Sequence, residues 1–403
     1  MEGVSRRGWL WIAFTVVHLV VGWLGFVMPN QPMGDVYLVY EPWALDAVGG
    51  RIPGIASEWI YPQLAIVPMV LALGFSWIAG YEIAWAILMT LVDAAVFAML
   101  VGRGRSRGRI GAAWFWLAFA LLLGPVGMYR LDGLTAAIAL AGCLWLVGRP
   151  WVASMLLTLA TWIKVWPVAV LVAAFTALRR RGAIVGGAAI VSASTLIAVV
   201  AAGGASHAFG FVAGQTGRGL QLEAPVSAFY LWRAVAGDPD SSIYYDSEIV
   251  TFQVTGPGVD AVIAVMTPLL AVVLVLIAGL GALKAARGAS FARLFPALAL
   301  ALVLALIVVN KVGSPQYLTW LIAPLAFALV IDRRAWPLAI AGLVAAGLTQ
   351  LVYPVLYGQL LAADAGAAAI LTLRNALLTV MLVVSVIELA RVPARPKHPS
   401  HVL

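Results

Sequence analysis

The chain has 403 residues, of which 63% are hydrophobic and only 10% charged, with a formal net charge of +8. A soluble domain carries roughly 25% charged residues, so this composition cannot clothe a water-facing surface and lipid must be the solvent for most of it. The basic balance would suggest nucleic acid in a soluble protein; here it is expected to set membrane orientation. The single cysteine, Cys143, sits in an apolar run and rules out a disulfide framework or a cysteine metal site.

At ~20 apolar residues per span, the length allows about a dozen transmembrane helices. The first apolar run, 8–28, follows Arg6 and Arg7 without a small-residue cleavage site, and reads as a retained anchor rather than a signal peptide. Further spans are predicted at 83–102, 110–129, 132–148, 150–164, 166–178, 182–203, 260–283, 291–310, 316–332, 336–353 and 367–390. Basic clusters punctuate them at Arg6-Arg7, Arg103 to Arg109, Arg149, Arg179 to Arg181, Lys284 to Arg293, Arg333-Arg334 and Arg391 to Lys397. These hold 18 of the 25 Lys and Arg and are assigned to the cytoplasm. Twelve spans then put both termini inside, with 391–403 as a basic tail.

Residues 61–80 are long enough to span, but would carry the Arg103–Arg109 cluster outside. They read instead as an interrupted helix or re-entrant hairpin on the outer side, starting at Tyr61-Pro62 and containing Pro68. The predicted fold class is an all-α polytopic membrane protein. It forms one domain over 1–390, with outer loops at 29–82 and 204–259. Within the second loop, 225–236 has the look of a short amphipathic helix lying in the interface. There is no internal repeat, nucleotide-binding glycine loop or Cys/His metal spacing.

Thirteen of the seventeen acids fall outside, and so do seven basic residues: Arg51, Arg130, Lys164, Arg218, Arg233, Lys311 and Arg374. A charge near lipid is costly unless paired or functional. Taken singly, each reads as a snorkelling anchor or a local pair, such as Arg130 with Asp132 or Arg218 with Glu223. Taken together on one face, they suit a phosphate or pyrophosphate head group. Asp35, at the mouth of the first span, reads as a general base for a hydroxyl nucleophile or as a solvated loop acid. Nearby Tyr37, Tyr40 and Trp43 suit sugar stacking or the aromatic belt. Asp93, near midplane, reads as a buried polar contact or a proton-moving group. Three function classes fit: an enzyme, a lipid or anion transporter or flippase, and an assembly subunit. The lack of repeats and the long outer loops favour the enzyme.

Five motifs in order resemble glycosyltransferase family 87, polyprenyl-phosphate-mannose-dependent enzymes of the GT-C fold. They are Gly34-Asp35-Val36-Tyr37, Tyr61-Pro62-Gln63-Leu64, Arg130-Leu131-Asp132-Gly133, Trp162-Ile163-Lys164-Val165-Trp166-Pro167 and Lys311-Val312-Gly313-Ser314-Pro315. After the last, some relatives carry histidines where this chain reads Gln316-Tyr317-Leu318-Thr319-Trp320. The resemblance implies transfer of a sugar, with mannose expected, from a polyprenyl-phosphate-linked donor to a hydroxyl of a glycolipid or glycan. It places the reaction on the outer face of the bacterial cytoplasmic membrane, with inversion. Asp35 would be the base, and Lys164, Lys311, Arg130 and Arg218 would hold the donor phosphate. Tyr37, Tyr40, Glu41, Glu58, Tyr61, Glu223, Gln316 and Tyr317 are the further expected substrate contacts. No cofactor and no nucleic acid partner are expected; a divalent ion on Asp35 with Glu41 or Asp46 is the less favoured arrangement.

Overall fold

The computed structural model describes residues 5–213, 217–247 and 249–393; Glu2, Glu248 and the tail beyond residue 393 lie outside them. The chain is mostly helical. The principal helices are α1 (Arg6–Val27), α2 (Glu41–Val48), α3 (Ile66–Leu73), α4 (Tyr81–Val101), α5 (Arg107–Leu123), α6 (Leu131–Trp145), α7 (Pro150–Ile163) and α8 (Val168–Ala177). They continue with α9 (Arg181–Ala201), α10 (Ala228–Val235), α11 (Val259–Ala286), α12 (Phe291–Val308), α13 (Ile322–Ile331), α14 (Trp336–Gln350) and α15 (Ala365–Arg391).

Every predicted span is helical. Among the described residues, seven helices are long and apolar enough to cross a membrane: α1, α4, α9, α11, α12, the stretch Arg333–Val355 that contains α14, and α15. Residues Leu131–Trp145, Pro150–Ile163, Val168–Ala177 and Pro315–Ile331 form shorter apolar helices. At 1.5 Å per residue, the 14 residues of α7 rise only about 21 Å, against ~30 Å of hydrocarbon. The predicted 110–129 span is divided at Gly124, whose φ of 68° ends α5 before a separate turn at Pro125–Tyr129.

Residues 61–80 do form an interrupted helix: a 3₁₀ turn at Gln63–Ala65, then α3, then a short piece at Ser76–Ala79. The amphipathic segment is helical too, as Pro225–Ser227 and α10. One expectation needs correction. The loop expected after the first span is helical from Gly34 to Val48, with a π-helical turn at Val36–Tyr40 running into α2. The helical character is as expected for an all-α membrane protein, and the chain also carries one antiparallel hairpin, β1 (Ser242–Asp246) with β2 (Thr251–Thr255), in which Ser242 pairs with Thr255.

Helix α12 is the buried centre. Residues Leu298 to Ala305 are all buried, and the helix packs on α8, α11 and α15. Helix α11 instead turns Val265, Val272, Val275 and Leu276 outward, as a lipid-facing helix does. Between helices in lipid, close approach matters more than apolar burial. A Cβ on Gly133 would sit 2.6 Å from the Gly127 carbonyl oxygen, so α6 touches the preceding turn backbone to backbone.

The expected buried polar contact of Asp93 has a partner. His18 Nε2 lies 3.2 Å from Asp93 Oδ2, and His18 Nδ1 donates to the Phe14 carbonyl at 2.9 Å. Residues at the starts of α6 and α8 and at the ends of α7 and α12 (Arg130, Val168, Lys164 and Asn310) line one cavity.

Candidate active site

The cavity has a volume of 1660 Å³. Its first wall comes from the helical segment that sequence reading took for a loop. Asp35, Leu38, Val39, Pro42, Trp43 and Asp46 all line it. Those positions are i, i+3, i+4, i+7, i+8 and i+11, one face of a helix. Val36, Tyr40 and Ala44 point the other way and are buried.

Five of the seven expected outer cations line the same cavity: Arg51, Arg130, Lys164, Arg218 and Lys311. Arg130, in the turn before α6, forms an ion pair with Asp35 and a hydrogen bond to the Tyr353 hydroxyl. Lys164 caps the end of α7, with its Nζ 3.3 Å from Asp132 Oδ2 and 4.5 Å over the Tyr61 ring. Asp132 Oδ1 accepts from Trp320 Nε1 at 2.6 Å. Trp320 stacks on Trp166, with ring centroids 5.6 Å apart, and on Tyr317 at 4.2 Å. The local pairings expected from sequence neighbours are thus exchanged. Arg130 goes to Asp35 rather than Asp132, which goes to Lys164. Glu223 goes to Arg374 rather than Arg218, at 3.6 Å between Nη2 and Oε2.

Burial pushes the Glu223 carboxyl up to about 7, with Arg374 drawing it part of the way back. The Lys311 ammonium is held below its ordinary value by burial and by the Arg218 guanidinium nearby. The loop that carries these groups is fixed through backbone. Gln221 N–H donates to the Lys311 carbonyl at 3.0 Å, and a Cβ on Gly313 would fall 2.2 Å from Ala224 N. Only glycine permits that approach.

Of the expected site residues, Asp35, Lys164, Lys311, Arg130, Arg218, Glu58, Tyr61, Glu223, Gln316 and Tyr317 line the cavity. Tyr37, Tyr40 and Glu41 do not. At ~100° per residue they lie about 120° or more around the helix from Asp35. The Tyr40 ring packs on Trp85 with centroids 5.1 Å apart, and its hydroxyl accepts from Leu131 N–H at 3.4 Å. Arg233 pairs with Asp238 away from the cavity.

Sequence reading missed Trp59, Tyr353 and Tyr357 in the wall. Trp43, Trp59 and Tyr61 form a mutual edge-to-face triad at 5.4–5.8 Å. Tyr353, beside Arg130, and Tyr357 line the cavity as well. The helical spacing of Asp35, Leu38, Val39 and Pro42 was the available signal for the first wall. For metal, Asp46 is held by Arg51 at 2.5 Å and Glu41 is off the wall. Among the described residues no three His, Cys, Asp or Glu side chains cluster.

Chemically, the cavity offers a carboxylate facing a set of cations, beside aromatic faces. That suits stabilising a leaving phosphate while a hydroxyl is deprotonated. No curated protein matches the chain. Residues 59–242 match the model of glycosyltransferase family 87, a stretch that includes Tyr61, Arg130, Asp132, Lys164, Arg218 and Glu223. That family match, with the seven membrane-length helices, indicates a multi-pass membrane glycosyltransferase.

Proposed function

We propose that the chain adopts the GT-C fold and moves a sugar, mannose in the first instance, from a polyprenyl-phosphate-linked donor to an acceptor hydroxyl. The transfer occurs on the outer face of the bacterial cytoplasmic membrane, with both termini cytoplasmic. The observation that carries this reading is the convergence of Asp35 with Arg130, Lys164, Arg218 and Lys311 on one cavity. The bias of basic clusters to the opposite helix ends supports the orientation.

In the reaction, the acceptor oxygen attacks the anomeric carbon and its proton passes to the Asp35 carboxylate. The bond from that carbon to the phosphate oxygen breaks, and polyprenyl phosphate leaves with the electron pair. The cations stabilise the departing charge, the largest contribution expected of such a site. A single displacement inverts the anomeric centre and needs one base. Arg130 pairs with that base before substrate arrives; a bound phosphate then competes for Arg130 and frees the carboxylate to take the proton.

The test is reconstituted protein offered polyprenyl-phosphate sugars with labelled head groups. Transfer should appear with the mannosyl donor. Asp35→Asn should retain donor binding and lose roughly 10²- to 10⁴-fold in turnover. Turnover within a few fold of the parent would overturn the assignment of the base.

A further inference from the structure

A second pocket, of 800 Å³, lies at the other end of the bundle. It is independent of the first. Helix α7 runs from one to the other, with Pro150 lining the second pocket and Lys164 the first, about 20 Å apart by helix rise.

Three features give it a single electrostatic sign. Arg179, Arg180 and Arg181 line it in succession, and no Asp or Glu does. None of the three makes an ion pair among the described residues; Arg181 lies over the Phe175 ring at 5.5 Å. The helices α7, α9 and α12 all start at its wall, at Pro150, Arg181 and Phe291. Each of these starts lacks a capping side-chain bond and an acid in its first turn. Three helix starts leave amide N–H groups and partial positive charge facing one concavity. Orientation of the chain requires only that arginines be present on this side. It does not require a cleft, nor three converging helix starts.

The rest of the wall is apolar, with Leu146, Val147, Leu178 and Phe291. The outward surface beside it is apolar too, with Val147 70% exposed and Trp151 and Phe175 also exposed. The concavity therefore offers cationic hydrogen-bond donors continuous with a hydrocarbon-facing surface. Guanidinium groups match phosphate oxygens in pairs.

We propose that this pocket is a binding site for a phosphate-bearing anion, supplied in the membrane by the head group of an anionic phospholipid. The phosphate sits among Arg179, Arg180 and Arg181 and the three helix starts. The acyl chains lie along Val147, Trp151 and Phe175.

The test uses the full chain purified in detergent. It is offered phosphatidylglycerol or phosphatidylcholine, and retained lipid is counted by native mass spectrometry, with and without inorganic phosphate. The parent protein should retain phosphatidylglycerol in preference, by at least about tenfold. Replacing Arg179, Arg180 and Arg181 together by Gln should abolish the preference. Ala289→Trp, which fills the pocket and keeps every arginine, should abolish it as well and separates the pocket from simple charge. Replacing Arg103, Arg105 and Arg107 by Gln removes as much charge outside the pocket and should leave the preference in place. Undiminished preference in both pocket variants overturns the proposal. Displacement of the lipid by millimolar inorganic phosphate overturns the lipid as source and leaves the anion site standing.

Discussion

Lys164, half-buried at the cavity wall, pairs with the buried Asp132, which reading the sequence did not include among the site residues. The two are 32 positions apart, and nothing in the spacing of Arg-Leu-Asp-Gly and Lys-Val-Trp-Pro shows that the carboxylate passes over its neighbour Arg130 to reach the lysine. Removing one partner of a buried pair leaves an uncompensated charge, at about 3–5 kcal/mol. Asp132→Asn is therefore expected to lower thermal stability by that order and to raise the KM for donor. Asp132→Asn combined with Lys164→Met should recover most of the stability and none of the donor affinity; differential scanning and donor titration separate the two. Glu223 gives a pH dependence. Its carboxyl titrates at about 7 in the folded protein against 4.5 unperturbed. Folding takes up a proton between those values, so stability is greatest below the lower one and falls as pH rises through the upper. The ceiling is on the order of 3 kcal/mol. Denaturation at pH 5 and pH 8 should show that loss, and Glu223→Gln should flatten it.

At the scale of elements, the seven membrane-length helices were legible because each is a long apolar run with an arginine or glycine near an end. The cations of the cavity were legible because orientation rules single out basic residues on the acidic side. The helix from Gly34 to Val48 was not. Its polar and aromatic residues and Pro42 read as loop, and the π-helical turn at Val36–Tyr40 adds a residue to the regular repeat. The wide turn absorbs that residue, so Asp35 keeps the face it shares with Trp43 and Asp46. Inserting an alanine after Pro42, in the regular helix that follows, should turn Asp35 by about 100° relative to Trp43 and Asp46. Transfer should fall about as far as in Asp35→Asn, at least ~10²-fold, with unchanged amounts of protein in the membrane. A labelled-donor assay on membranes checks both. The hairpin β1–β2 was also hidden, since two five-residue strands in a polar loop carry little pattern.

At the scale of the whole molecule, the first and last parts of the chain meet at the cavity. The Asn30 side chain donates to the Pro354 carbonyl at 2.7 Å, and the Tyr353 hydroxyl donates to the Asn30 carbonyl at 3.0 Å. In the last helix, α15, Arg374 reaches back to Glu223. The first two contacts join residues more than 300 positions apart and the third spans 151, which no local pattern in the sequence announces. They also mean that α15 is required although its outer surface looks like a plain anchor. A chain stopped after residue 361 should still insert, yet should fail to crosslink a photoreactive polyprenyl-phosphate donor; crosslinking at the parental level would show the last helix to be dispensable.

The Asn30–Pro354 closure has a consequence for synthesis. A membrane protein enters the bilayer in order, N-terminal helices first, while the ribosome is still translating the rest. Asp35 is in place early, but its side of the cavity stays unwalled until residues beyond 350 emerge. A nascent chain thus carries Asp35 before its cavity is walled. Any activity of the cavity therefore waits until the residues beyond 350 have been made and have docked on Asn30.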